Sequence, residues 1–317
     1  MEGLSDDPLA HLRRKQELIR DLVTAVALRF KTGLFLYGRG GEGKSFLVLS
    51  RLKELVTPYV LSNSRMTAKG LFLALKNAPD AIHVLEDMER LTKDPDAQGV
   101  LRSVLWAQPG HPRLATWTTG TTGKDQFEFR GGIIMISNRP LSDMPELLAL
   151  ATRIEVHRLD ASDTEMEALM RDLAARGYGP AGNRLIEPAE CLEVTEHLLA
   201  ECRRIGCPLD LRLQQKCFQT FLQWEQDHSV CHWKDLVGAS VREASSHFLH
   251  TADTASREER QLRRRNILRD ILCRTADVDE QLRLYAQETG MSRADFYRRK
   301  RELESGEFDP ETAPEGN

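Results

Sequence analysis

The chain has 317 residues, 41% of them hydrophobic and 29% charged, the make-up of a globular protein with a sizeable core rather than a disordered or fibrous one. Its 44 Lys and Arg against 48 Asp and Glu leave a net charge of −4, so any surface for nucleic acid has to be local. Residues 1–8 are acidic and polar, unlike a secretory signal, and no stretch approaches the ~20 apolar residues of a membrane span; the expectation is a cytoplasmic protein with no membrane partner.

From the N-terminus, Leu9, Leu12, Leu18, Ile19, Leu22, Val23 and Val26 recur at helical spacing and predict a helix over 9–30. The apolar run 34–37, bounded by glycines, predicts a buried strand. A glycine-rich loop follows, then a helix over 45–56 that stops near Pro58. Strands are predicted at 59–62 and 81–85, with helices at 67–76 and 96–107. Residues 116–119, the turn 120–123 and residues 127–129 predict a β-hairpin. Residues 133–137 predict another buried strand, and 153–156 the last. Strands alternating with helices predict an α/β fold, with a mostly parallel sheet covered on both faces.

Beyond residue 159 the pattern changes. A helical region is predicted over 160–250, with loops at 177–182 and 206–208, then a polar, arginine-rich linker or exposed helix over 251–275. A small helical unit is predicted over 276–303, followed by an acidic, proline-containing tail over 304–317 of disordered composition. The six cysteines, Cys191, Cys202, Cys207, Cys217, Cys231 and Cys273, form no C-x-x-C pair. Reduced, partly buried thiols are expected, with Cys231, His228 and His232 as the one place for zinc.

Chemistry enters at residues 38–45. Gly38-Arg39-Gly40-Gly41-Glu42-Gly43-Lys44-Ser45 fits G-x-x-x-x-G-K-[ST] between a predicted strand and a predicted helix. In such a P-loop the glycines let successive N–H groups point at phosphate oxygens, and the helix N-terminus adds partial positive charge. The expected ligands are ATP and Mg2+, held by Gly38, Gly40, Gly41, Glu42, Gly43, Lys44, Ser45 and Phe46; Lys44 reaches the β- and γ-phosphates and Ser45 holds the metal. Glu86 and Asp87 end an apolar strand, as a Walker B pair does. By position Glu86 serves the metal and Asp87 the attacking water, although the order is reversed from the usual Asp-Glu.

With these two motifs in place, residues 10–250 resemble the AAA+ ATPases. The resemblance implies a P-loop parallel-sheet AAA+ core over 1–159, including the N-terminal helix, and a helical lid over 160–250. It implies that Asn138, after the strand 133–136, is a sensor 1 residue near the γ-phosphate. Arg153 stands where the family places an arginine finger that enters a neighbouring subunit's site, with Arg130 and Arg139 as rivals. Arg212, in Leu209-Asp210-Leu211-Arg212, stands as a sensor 2 arginine contacting nucleotide. The hairpin resembles that of the pre-sensor-1 group, which includes DNA helicases and translocases; there Lys124 would grip a nucleic-acid backbone. A ring or other ATP-dependent oligomer is the implied assembly.

The small C-terminal unit adds a second link to DNA. Ala286, Gly290, Met291 and Phe296 have the spacing of a helix-turn-helix, with Ser292 as cap. Its second helix would carry Ser292, Arg293, Tyr297, Arg298 and Lys300 outward, toward base edges and phosphates. The run Arg263-Arg264-Arg265 is a further source of phosphate contacts. The readings that follow are an ATP-hydrolysing DNA motor of a replication or mobile-element system, an ATP-dependent helicase loader or transposase-regulating switch that unwinds nothing, and an ATP-binding DNA-binding regulator.

Overall fold

The structure is a computed structural model, and it describes residues 7–63, 65–88, 91, 93–108, 110–119, 123–141, 148–179, 185–251, 267–268, 271–272, 275, 277–289 and 291–304. In chain order the strands are β1 (Gly33–Gly38), β2 (Tyr59–Ser62), β3 (Ile82–Glu86), β4 (Leu114–Thr119), β5 (Gly123–Glu128), β6 (Gly132–Ser137) and β7 (Glu155–Leu159). The helices are α1 (Pro8–Ala27), α2 (Lys44–Glu54), α3 (Ala68–Asn77), α4 (Pro95–Leu105), α5 (Leu148–Ala151), α6 (Asp163–Ala174), α7 (Pro188–Ile205), α8 (Leu211–Glu225), α9 (Trp233–Thr251), α10 (Val278–Thr289) and α11 (Arg293–Glu304).

Five strands make a parallel sheet in the order β2-β3-β6-β1-β7. Such a sheet is covered on both faces, so its central strands read as unbroken apolar runs. All six positions of β6, Gly-Ile-Ile-Met-Ile-Ser, are buried. β7 starts two residues later than the sequence pattern suggests and runs to Leu159, because its partner register with β1 runs from Leu34↔Glu155 to Gly38↔Leu159.

α1 is capped by Asp7, whose carboxylate accepts from the Leu9 N–H at 3.0 Å, and begins with Pro8, whose missing N–H is harmless in a first turn. It buries Leu12, Ile19, Val23 and Val26, and packs on β1, β6, β7, α2 and α6. Each such side chain contributes about 1.5–3 kcal/mol. On the other face Phe35, Leu85, Ile133 and Met135 meet α3 and α4 through Leu71, Phe72, Leu75, Leu101 and Val104.

β4 and β5 form the expected hairpin, antiparallel from Leu114↔Glu128 to Thr119↔Gly123; its turn, 120–122, lies outside the described residues. Its base is anchored, since Trp117 and Phe127 lie 5.9 and 5.2 Å from the Phe72 ring of α3. The helical stretch after β7 is interrupted at 226–232, a break that helical spacing did not reveal; Asp227 there takes a left-handed backbone with φ 57°.

The chain divides into two compact units, Met1–Leu199 with Leu209–Trp233, and Ala200–Pro208 with Lys234–Asn317. The first therefore holds the sheet together with α6 and α8. In the second, Leu268, Ile271, Tyr285 and Phe296 form a buried cluster, so the stretch 251–275 supplies core residues to this unit as well as polar ones. The Tyr285 hydroxyl donates to Asp295 Oδ2 at 2.8 Å inside it. Arg263, Arg264, Arg265, Cys273, Gly290 and the tail 305–317 lie outside the described residues. Cys191, Cys202, Cys207 and Cys217 are buried and Cys231 is exposed; burial pushes the Cys217 thiol up to about 12. No helix among the described residues is long and apolar enough to cross a membrane.

Candidate functional site

The strand order decides what meets what. β6 lies between β1 and β3, so the residues that end or follow these three parallel strands stand side by side at the carboxyl end of the sheet. Those residues are the loop 38–44, Asn138, and the pair Glu86 and Asp87.

The loop bends where only glycine fits. Gly41 has φ +77°, and a Cβ there would come within 2.1 Å of Asp210 Oδ1. A Cβ on Gly38 would meet the Leu159 carbonyl oxygen at 2.3 Å. Lys44 closes the loop on itself, its Nζ donating to Gly38 O at 2.9 Å, Arg39 O at 2.6 Å and Asn138 Oδ1 at 3.1 Å. Burial pushes the Lys44 ammonium below its ordinary value; Glu42 opposes this, while Arg212 adds to it.

The acidic pair splits between two partners. Ser45 Oγ donates to the Glu86 carboxylate, and Asn138 Nδ2 donates to Asp87 Oδ1 at 3.4 Å. Asp87 has φ +54°, a left-handed conformation that Asp tolerates better than most side chains, and its N–H donates to Ile136 O at 3.2 Å. Asn138 thus links Lys44 to Asp87, and Ser45 links α2 to β3. Among the described residues no three His, Cys, Asp or Glu side chains converge as a metal cage.

α8 reaches the loop from outside the sheet. The Leu211 N–H donates to Gly41 O at 3.1 Å, and Asp210 caps α8 by accepting from the Arg212 N–H at 2.6 Å. Arg212 and the loop line one cavity of about 720 Å³. Its far wall is Leu169 and Leu173 of α6 with Tyr178 and Phe218, whose rings lie 5.2 Å apart, and Arg13 and Gln16 of α1 stand at its side. Phe46, 74% exposed, lies on the rim. Gln214 also lines the cavity, but its amide nitrogen donates away from it, to Met170 O at 2.8 Å and Thr195 Oγ1 at 3.0 Å.

No protein-family model matches this chain, and no curated protein matches it either.

Lys44, Ser45, Glu86, Asp87, Asn138 and Arg212 are therefore brought together with Gly38, Gly40, Gly41, Glu42, Gly43 and Phe46. Arg153 is not. It precedes β7, beside Gly33 at the opposite end of β1, in a second cavity with its guanidinium 5.8 Å from the Trp106 ring. Arg130 is held by Asp80 through two contacts of 2.7 and 3.2 Å. Lys124 is exposed on β5 opposite Thr118, next to the turn.

In the second unit, Arg293, Tyr297 and Arg298 are exposed on α11, with the Arg293 guanidinium 5.7 Å from the Tyr297 ring and Arg298 paired with Asp295. Lys300 is half-buried, near Gln281 Oε1 at 3.5 Å. Arg299, inside the same basic run, is 4% exposed, so the run is not a uniform cationic face. The sequence reading missed Arg13, Gln16, Tyr178, Phe218 and Asp210. Of these only Asp210, an Asp directly before a helix, carried a local signal.

Proposed function

We propose that this chain is a P-loop ATPase of AAA+ type, and that it works on DNA. The observation that carries the ATPase reading is the convergence of Lys44, Ser45, Glu86, Asp87, Asn138 and Arg212 on one cavity. The loop N–H groups and Lys44 bind the triphosphate, and the apolar wall of Leu169, Leu173, Tyr178 and Phe218 takes the base. The Ser45 hydroxyl and the Glu86 carboxylate form an all-oxygen donor set that suits Mg2+, which needs only one or two protein ligands when phosphates supply others. Bound there, Mg2+ would neutralise charge on the β- and γ-phosphates. Asp87, held by Asn138, orients the attacking water and takes its proton, while Arg212 stabilises charge developing on the γ-phosphate. Arg153, at the far end of the sheet, serves the site of a second copy in an oligomer.

The DNA reading is supported by the anchored hairpin that carries Lys124 and by the exposed Arg293 and Arg298. The burial of Arg299 and the Arg298–Asp295 pair favour a second reading, an ATP-dependent loader or switch that meets a replication or transposition protein through this unit. ATP turnover with Mg2+, with and without single- and double-stranded DNA, tests both, with Lys44→Ala as the control. Wild-type turnover no faster than the control refutes the ATPase. DNA stimulation with strand separation that Lys124→Ala abolishes supports the motor; stimulation without strand separation supports the loader.

A further inference from the structure

The loop 38–44 contains an acid that a phosphate-binding loop has no evident use for. The Glu42 side chain is 1% exposed. Arg39 Nε donates to its Oε1 at 3.1 Å; the Ala161 backbone also favours its charged form, yet Oε2 makes no hydrogen bond of normal geometry. Burial pushes this carboxyl above its ordinary value, and Arg39 offsets only part of that rise. A Cβ on Gly38 would stand 2.8 Å from Oε2, so the carboxylate lies directly behind the loop backbone. Its field reaches Lys44, where it opposes the effect of burial.

Arg39 does more than pair with Glu42. Its other nitrogens donate to Asp163 Oδ1 at 3.1 Å and to Ala161 O at 2.8 Å. Asp163 is the first residue of α6, the helix whose Leu169 and Leu173 wall the same cavity. One guanidinium thus joins the middle of the loop to the start of that wall. The planar fork of arginine suits three acceptors in one plane, which a lysine ammonium does not match.

We infer that Arg39 is a positioning residue for anion binding: it cancels the buried charge of Glu42 behind the phosphate cradle and clips the loop to α6. The inference rests on the reading of the cavity as an ATP site. An uncompensated carboxylate behind the loop repels the triphosphate through a poorly screened, partly buried path. Removing Arg39 alone therefore weakens ATP binding, and removing the charge of Glu42 as well restores it. A role in which Arg39 touches the phosphates directly makes the opposite forecast, since neutralising Glu42 then returns nothing.

The test is a double-mutant cycle with Arg39→Ala, Glu42→Gln and the double variant, read by ATP affinity in the presence of Mg2+ and by thermal unfolding without nucleotide. The expected results are at least a tenfold loss of affinity for Arg39→Ala and a return to within about threefold of wild type for the double variant. The melting temperature follows the same pattern. Where Arg39→Ala fails to fold, a double variant that folds and binds carries the same conclusion. Unchanged affinity in Arg39→Ala, or a double variant as impaired as the single one, overturns the inference. The ATP reading fails separately, if Lys44→Ala binds ATP as wild type does. The nucleotide-free melting cycle still judges the clip in that case, and additive melting shifts sink it.

Discussion

Gly41→Ala is expected to separate α8 from the loop. Gly41 sits at φ +77°, and an added Cβ would lie 2.1 Å from Asp210 Oδ1 and 2.2 Å from its Cγ. Asp210 cannot swing away freely, because its carboxylate caps α8 through the Arg212 N–H at 2.6 Å. A left-handed alanine costs about 1–2 kcal/mol, and loss of an Asp cap about 0.5–2 kcal/mol. Together they give about 1.5–4 kcal/mol, a fall in melting temperature of roughly 3–16 °C for a unit of this size. The Leu211–Gly41 backbone bond, 3.1 Å in the native loop, is lost with the cap, and Arg212 moves off the phosphates. ATP turnover therefore falls further than ATP binding. The assay is thermal unfolding of Gly41→Ala, Asp210→Ala and the double variant. Because Asp210→Ala has already surrendered the cap and cleared the space, adding Gly41→Ala to it brings only the backbone strain. The double variant is thus more stable than the sum of the singles predicts, by about 1 kcal/mol. Strict additivity would refute the clash and the coupling built on it.

The acidic pair should divide its labour. Asp87→Asn is expected to bind ATP normally and lose turnover by about 10²–10⁴-fold, whereas Glu86→Gln loses the dependence of ATP affinity on Mg2+; equal kinetic defects in both would refute the division. Glu165 is 3% exposed in α6; burial would raise its carboxyl, but Lys15, the Ser162 N–H and His11 outweigh that and hold it below its ordinary value. The stability it contributes is therefore present above its unfolded pKa and lost as pH falls through the lower folded one, so wild type should lose its advantage over Glu165→Gln in melts below about pH 4; an unchanged difference at acid pH would count against it. Tyr285→Phe leaves Asp295 short of a buried donor and should destabilise the second unit by about 1.5–3 kcal/mol, seen as faster hydrogen exchange in α10 and α11 of the full chain.

The sheet was legible because its strands are short apolar runs between turn residues, and the loop because its spacing admits little else. Glu86 and Asn138 were legible as strand ends. Their meeting was expected only through the resemblance, since it depends on β6 lying between β1 and β3, which no local pattern encodes. The same holds for Arg39 and Asp163, or Arg13 and the cavity wall: they are long-range partners whose local sequence says only that they are polar. Arg299 shows the converse limit. A run of Arg and Lys reads as a solvated face, yet helical geometry turns its second member inward, where its guanidinium lies 3.9 Å from Asp295 Oδ1.

Arg153 and Lys44 stand at opposite ends of one parallel sheet. A parallel sheet has a direction, and so does any assembly in which the Arg153 end of one copy serves the Lys44 end of the next. Such a contact joins two different surfaces, so it has no two-fold axis, and each added copy completes one site while leaving another open. The number of working sites then trails the number of chains by one until the series closes on itself. Activity per chain would rise with assembly size and level off only at closure.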